Sequence, residues 1–327
     1  MKKNLLALAA LTLVSGAAFA QSSVTLYGVA DVGIGKMSGQ KTGMISGSRI
    51  NNATSHIGFR GIEDLGGGLK VGFKLEQYIN LKNGAVIDAN NPQLQTDYAR
   101  AANVWVEGGF GRFKMGRAGT PSYHGLMAWS ILGDVNYSSV TERYGYVGYG
   151  LHTNSQFSYK TPVFGGFSAE VAFITKGDNN NNKAKYDLNL MYDNGPLSAA
   201  VVYNKTQDSK ASYALGAKYN FGMFTLSAGY YDTRDQVFTL LPAGSKAHMS
   251  GYSFGGSVDF DNITIAIELQ RQRKSEYALQ NVTYKLKKYT EGTLAAKYAL
   301  SKRTFIYADY LRIEGENNYG VGIQHRF

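Results

Sequence analysis

The chain has 327 residues, with 24 tyrosines, 16 phenylalanines and 39 glycines against 5 prolines, and no cysteine. The lack of cysteine excludes a disulfide framework, a thiolate metal site and a thiol nucleophile, while 18% charged residues beside so much Tyr, Phe and Gly point to many strands and tight turns rather than helices. The formal charge of +10 raises the local anion concentration and says nothing about the fold.

Residues 1–20 read as a cleaved secretion signal. Lys2 and Lys3 give a basic start, residues 5–14 a short apolar run, and Ala18-Phe19-Ala20 a small-residue cleavage pattern before Gln21. The run is shorter than the roughly 20 residues a membrane helix needs, and none as long follows it. Residues 21–327 are expected to form one domain.

The first strand is expected over 24–35, with Val24, Leu26, Ala30, Val32 and Ile34 on one face and Thr25, Tyr27 and Asp31 on the other. A polar stretch runs to Thr54. Residues 55–78, SHIGFRGIEDLGGGLKVGFKLEQY, then form a hairpin about the turn Asp64 to Gly68. Its second limb carries Leu69, Val71, Phe73 and Leu75 on one face and Lys70, Lys74 and Glu76 on the other. Those charges require water or a partner, since a buried lone ion costs several kcal/mol.

After a polar connection to Thr96 come strands at 98–106 and 112–117, and then the longest connection, residues 118–153. It shows no clean alternation and holds Trp129, Asp134, Glu142, Arg143 and five tyrosines. The alternating rhythm resumes in strands at 156–160, 167–173, 186–192, 197–203, 212–219, 224–231, 252–258, 263–271, 292–298, 304–311 and 319–327. That makes sixteen strands, joined by seven short turns and eight longer loops in strict alternation. An all-β, 16-stranded antiparallel transmembrane β-barrel with both termini on one side produces this series. Closure also removes edges that lipid could not satisfy. Tyr27, Tyr78, Tyr159, Tyr219, Tyr298, Tyr310 and Phe327 fall near strand ends, where an interfacial aromatic girdle is expected.

Signals for catalysis are poor, so no enzyme is expected. Gly33 to Lys36 departs from a phosphate loop twice, with Ala30 for its first glycine and Met37 for its hydroxyl residue. His56, His124, His152, His248 and His325 lack metal-ligand spacing, and no cofactor is implied. The basic stretch Arg271, Arg273, Lys274, Lys285, Lys287 and Lys288 reads as a solvated external loop or a contact for lipopolysaccharide phosphates rather than for nucleic acid.

Four segments carry a family resemblance: HIGFRGIEDLGGGLKVGF in the hairpin, GGFGRFKMGR at 108–117, YALSKRTFIYADY at 298–310 and the ending GVGIQHRF. Together they make residues 21–327 similar to the trimeric general diffusion porins of Gram-negative outer membranes, most of all the β-proteobacterial type. The resemblance implies a homotrimer in outer-membrane lipid that passes small hydrophilic solutes and ions. It also implies that Phe327 is read by the outer-membrane assembly machinery, and that residues 118–153 fold into the barrel as a constriction loop. Asp134 and Glu142 on that loop would then face basic residues of the opposite wall at His56, Arg100 and His152 or Thr153, with Arg143 completing or neutralising the field. Of these wall positions Arg100 is the one unambiguous cation, so at most a weak anion preference is implied. Arg60, Lys74 and Lys160 share the inward parity and would add to it. Arg117 shares the parity of Phe113 and Met115 and is a candidate for a subunit interface, pairing with Asp88 or Asp97. The alternative function is a substrate-specific channel for sugars or organic anions, with the loop tyrosines as a stacking track.

Overall fold

The computed structural model describes residues 23–86, 97–133, 135–145, 150–178, 182–236 and 241–327, the side chains of 143, 145 and 236 apart. The expected signal segment, Asp88, Asp134 and the side chain of Arg143 therefore lie outside the described residues.

The strands run β1 (Ser23–Lys36), β2 (Gly43–Ile45), β3 (His56–Gly66), β4 (Leu69–Tyr78), β5 (Ala101–Gly108), β6 (Gly111–Gly119), β7 (His152–Lys160), β8 (Phe167–Ile174) and β9 (Lys185–Asn194). They continue as β10 (Leu197–Thr206), β11 (Ser212–Asn220), β12 (Phe224–Gln236), β13 (Lys246–Phe260), β14 (Ile263–Leu279), β15 (Val282–Lys285), β16 (Thr290–Ala299), β17 (Thr304–Ile313) and β18 (Glu316–Arg326). Neighbours pair antiparallel, and β1 meets β18 in register from Val29 opposite Arg326 to Lys36 opposite Tyr319, which closes the sheet. The short β2 and β15 are additions to hairpins, because β1 also pairs directly with β3, and β14 with β16. The wall is thus a closed barrel of sixteen antiparallel strands, as expected.

The strands of one half rise higher than the apolar alternation suggested. The stretch read as a basic loop is largely ladder: Arg271, Arg273 and Lys274 lie in β14 and Lys285 in β15. The reason is physical. Once a strand clears the apolar zone both of its faces meet polar surroundings, so the hydrophobic period that marks a strand in sequence disappears. In β14 Gln270 and Gln272 are buried while Arg271 and Arg273 are exposed, an alternation written in polar residues alone.

The two faces of the wall are opposite in character. Leu188 and Leu190 on β9, Ile265, Ile267 and Leu269 on β14, and Val321 and Ile323 on β18 are exposed. Their alternates Asp187, Asn189, Glu268, Gln270 and Gln324 are buried. An apolar exposed face around a polar covered one suits lipid outside and water or polar chain inside. No described helix is long and apolar enough to cross a membrane.

The long connection after β6 forms two helical turns, α1 (Pro121–Leu126) and α2 (Ser139–Gly145). Thr120 caps α1, its hydroxyl accepting from the Tyr123 N–H at 3.1 Å, and Pro121 preorganises the first turn. Leu126, Trp129, Val140 and Tyr144 of this connection join Val202, Ala214, Tyr231 and Met249 of the wall in one buried apolar cluster. Trp129 reaches it because the facing positions are glycine: a Cβ at Gly216 or Gly229 would collide with the indole, and one at Gly255 with Ile131. Gly216 and Gly229 stand opposite each other in the β11–β12 ladder, so together they form a slot.

Candidate functional site

Covered carboxylates of the wall hold the long connection in place. Glu268 on β14 accepts from the hydroxyls of Ser130 (2.8 Å), Ser138 (2.6 Å) and Ser139 (3.4 Å) and from the N–H groups of Ile131 (2.5 Å) and Leu132 (3.1 Å). Asp187 on β9 accepts from both the N–H and the hydroxyl of Ser122, at 2.8 and 2.6 Å. Glu291 on β16 accepts from the hydroxyl of Tyr137 at 3.3 Å and from the Gln270 amide at 2.7 Å. A covered carboxylate is tolerable only with such donors around it.

The first connection is held the same way. Asp31 on β1 accepts from the Asn51 amide (2.8 Å), the Ala53 N–H (2.9 Å), the Tyr307 hydroxyl (2.6 Å) and the Gln324 amide (3.0 Å). The two connections also meet: Asn136 donates its amide to the carbonyl of Ser48 at 2.8 Å, and Ile50 packs with Tyr137 and Leu311.

Cations gather across β4 to β8. A cavity of about 520 Å³ is lined by Lys74 on β4, Arg100 just before β5, Arg112 and Lys114 on β6, and Lys160 on β7. Its carboxylates are Glu76 and Glu170, and its histidines His124 and His152. Glu76 is paired with Lys74 at 2.8 Å and Arg100 at 3.2 Å and accepts from the Tyr27 hydroxyl at 2.7 Å. Glu170 is paired with Lys114 at 3.3 Å and meets Nδ1 of His124, carried in by α1, at 2.7 Å. Arg112 lies 4.5 Å over the Trp105 ring and pairs with Glu107. Five lysines and arginines thus share one cavity with two carboxylates, and each carboxylate is engaged by a cation.

The site residues expected from sequence fall into three groups. Arg100, Lys74, Lys160 and His152 come together in this cavity, and Arg60 stacks beside it at 5.0 Å over Tyr27. His56 stands apart: it is buried, with Nδ1 3.0 Å from the Thr54 carbonyl at the foot of the first connection. Glu142 pairs with Arg49 of the first connection at 3.6 Å. Asp134 and the side chain of Arg143 lie outside the described residues. Arg117 folds onto its own chain, its Nε donating to the Ala99 carbonyl and Nη1 to the Asn154 amide oxygen at 2.7 Å. Asp97 accepts from Gln77 at 3.2 Å. Phe327 closes the barrel, exchanging main-chain hydrogen bonds of 3.1 Å in both directions with Gly28, and its ring fills the space a Cβ there would need.

Two rings read as interfacial girdle serve the charged cavity instead: Tyr27 donates to Glu76, and Tyr78 lies 5.9 Å beneath Arg100. Tyr219, Tyr298 and Tyr310 are exposed among the apolar residues. Sequence reading passed over Arg112, Lys114, His124 and Glu170. The first two had a signal, since they alternate with Phe113 and Met115 and so take the covered parity. Among the described residues no group of three or more His, Cys, Asp or Glu could hold a metal ion.

The model of the family described as Gram-negative porin matches residues 7–318. Outer membrane porin protein 32 of Delftia acidovorans is 30% identical over 340 residues, spanning 99% of this chain and 93% of that protein. An outer membrane porin protein of Bordetella pertussis is 28% identical over the whole of both chains. Among solved structures, an anion-selective porin from Comamonas acidovorans superposes with a TM-score of 0.72 at 25% identity, covering 94% of this chain and all of that one.

Proposed function

The chain belongs to the Gram-negative porin family and is a passive porin of the outer membrane, and from that premise we propose that it passes small hydrophilic solutes with a preference for anions. The observation that carries this reading is the unequal treatment of charge inside the wall. Asp187, Glu268 and Glu291 are buried under hydrogen bonds from the long connection, whereas Lys74, Arg100, Arg112, Lys114 and Lys160 share an open cavity with two carboxylates. In a water-filled passage between low-dielectric walls, selectivity follows the charges that remain presented to the ion.

In this reading residues 118–153 fold into the lumen as the constriction loop, which their contacts with β9, β10, β12 and β14 support. Arg100, Lys74 and Lys160 form the wall opposite the loop, with Arg60 at its edge and His56 behind the first connection. No chemical step and no cofactor takes part: width and charge decide what passes. The active form is a homotrimer, residues 1–20 are removed on export, and Phe327 serves as the assembly signal. Arg117 is retained as an interface candidate through the exposed edge of its guanidinium.

The test is recording in a planar bilayer under a potassium chloride gradient. The expected result is an ohmic channel, closing in three steps, whose reversal potential has the sign of chloride preference. Removing residues 123–137 should raise single-channel conductance; an unchanged conductance would refute the constriction. A second reading, a site for organic anions, is favoured by the Arg112–Trp105 stack in the basic cavity. Flux of an aromatic carboxylate that saturates while chloride flux does not would select it.

A further inference from the structure

The outward face of β9 to β14 carries an apolar trough with a charged rim. Tyr192, Ala199, Ala217, Ala228 and Phe254 stand opposite one another in turn across β9 to β13, so one row of this face has three alanines between two rings. Leu190, Val201, Leu215 and Leu226 are the exposed residues around them. Where the alanines lack that bulk a groove of about 570 Å³ is left. Tyr230 and Tyr252, their rings 5.3 Å apart, form its ledge, and Tyr252 stands opposite Arg271 of β14. On β14 itself the exposed positions Ile265, Ile267 and Leu269 are followed by exposed Arg271 and Arg273. Arg271 donates to the Thr290 hydroxyl at 2.7 Å and Arg273 to the Tyr252 hydroxyl at 3.4 Å, and among the described residues neither guanidinium pairs with a carboxylate. The acids that the strands carry above the trough, Asp232 and Glu276, are already engaged, by Arg234 at 2.6 Å and Lys274 at 3.6 Å, with His248 between them at 3.3 and 3.6 Å.

We infer that this face is a binding site for lipopolysaccharide, with an acyl chain lying over Ala199, Ala217 and Ala228 and a phosphate held between Arg271 and Arg273. The site lies outside the pore and is independent of how solutes pass. The groove alone selects nothing, because a chain that leaves lipid for an apolar trough gains no hydrophobic energy. The rim supplies the choice. A guanidinium fork matches phosphate oxygens two at a time, and here two forks without a carboxylate of their own stand where the exposed apolar residues end, the depth at which a lipid carries its headgroup. Tyrosine suits that depth, with an apolar ring and a polar hydroxyl. The rim belongs to the end of the barrel where the long connections stand, which is the external end. The phosphorylated lipid it meets is therefore that of the outer leaflet.

The experiment is lipid binding to the folded barrel in detergent, followed by native mass spectrometry, with lipopolysaccharide offered intact, dephosphorylated or deacylated, and with phosphatidylglycerol beside it. The proteins are wild type, the double variant Arg271→Gln with Arg273→Gln, and Ala217→Leu, each shown by heat-modifiable gel mobility to be a folded barrel. A basic residue at an anionic membrane surface is worth about fivefold in affinity (~1 kcal/mol), so the double variant should bind intact lipopolysaccharide about 25-fold more weakly. Dephosphorylated lipid should bind wild type as weakly as intact lipid binds the double variant. Ala217→Leu fills the trough, so it should weaken binding of the intact lipid and leave that of the deacylated form unchanged. Equal binding of intact lipid to wild type and the double variant overturns the inference. So does equal binding to wild type and Ala217→Leu, which would leave an anion patch without a groove. Phosphatidylglycerol bound as tightly as lipopolysaccharide overturns the choice of occupant. A changed oligomeric state in Ala217→Leu with no change in lipid affinity would give the face to a second copy of the chain and overturn it too. Should the double variant fail to fold, equal binding of phosphorylated and dephosphorylated lipid to wild type is sufficient to refute the site.

Discussion

The wall from β9 to β16 and the wall from β4 to β7 are built from the same alternation and use their covered faces in opposite ways. The first offers carboxylates and glycines: Glu268, Asp187 and Glu291 receive hydrogen bonds, and Gly216, Gly229 and Gly255 leave space for Trp129 and Ile131. The second offers lysines and arginines around a cavity of about 520 Å³. One half is a binding surface for the protein's own chain, and in the proposed function the other faces the solute. A covered residue in this barrel is therefore either a fastener or a filter, and the half of the wall it stands on decides which.

If that division holds, substitutions in the first half should cost stability and those in the second half selectivity. The largest effect is expected for Glu268→Ala, which orphans donors from five residues; leaving buried polar groups unpaired costs ~1–3 kcal/mol apiece, and partial rehydration would leave a total of about 3–5 kcal/mol. Thermal unfolding followed by gel mobility should shift strongly downward, with noisy open-channel current as the loop loosens. A stable, quiet channel would break the comparison at its strongest point. Gly229→Val comes next. Its Cβ would enter the volume of the indole, and overpacking of this kind costs ~1–3 kcal/mol. Replacing Trp129 by Leu in the same chain should recover part of that loss, and no recovery would mean that the slot is not what the glycines are for.

The barrel was legible because its signal is local: two faces, a period of two, and short turns such as Gly66 to Gly68, where positive φ requires glycine. What escaped was long-range. Glu268 sits in the run ITIAIELQRQR, where parity marks it as covered, yet its partners lie at Ser130 to Ser139, some 130 residues away in sequence. The Trp129 slot likewise needs two glycines that in sequence look like ordinary strand breaks. The pairing of Glu142 with Arg49 was not foreseen, because the polar stretch after β1 that carries Arg49 has no pattern to show that it folds against the same loop. The basic wall was half legible. Arg100, Lys74 and Lys160 follow from resemblance and parity, whereas His124 reaches the cavity on α1, in a segment without alternation.

The smallest effect on stability should come from the filtering half, and Lys74→Gln isolates it. Lys74 is 2.8 Å from Glu76 and its side chain is 43% exposed, so losing the pair is worth under about 1 kcal/mol. Glu76 is not orphaned by the change, because Arg100 and the Tyr27 hydroxyl still hold it at 3.2 and 2.7 Å. The unfolding free energy should stay within ~0.5 kcal/mol of wild type, as for most surface substitutions. The permeability ratio should nevertheless move toward cations, by up to about tenfold, because one unit charge some 6 Å from the ion path changes anion and cation concentrations about threefold in opposite senses. Glutamine keeps length and polarity, which separates charge from bulk: conductance should hardly change while selectivity does. Lys74 and Glu268 are both covered-face residues of one barrel, so a large stability loss at Lys74 would erase the distinction between fastener and filter. A selectivity change alone would locate that distinction in what each residue touches: at Glu268 the protein's own loop, at Lys74 a carboxylate already held by two other groups.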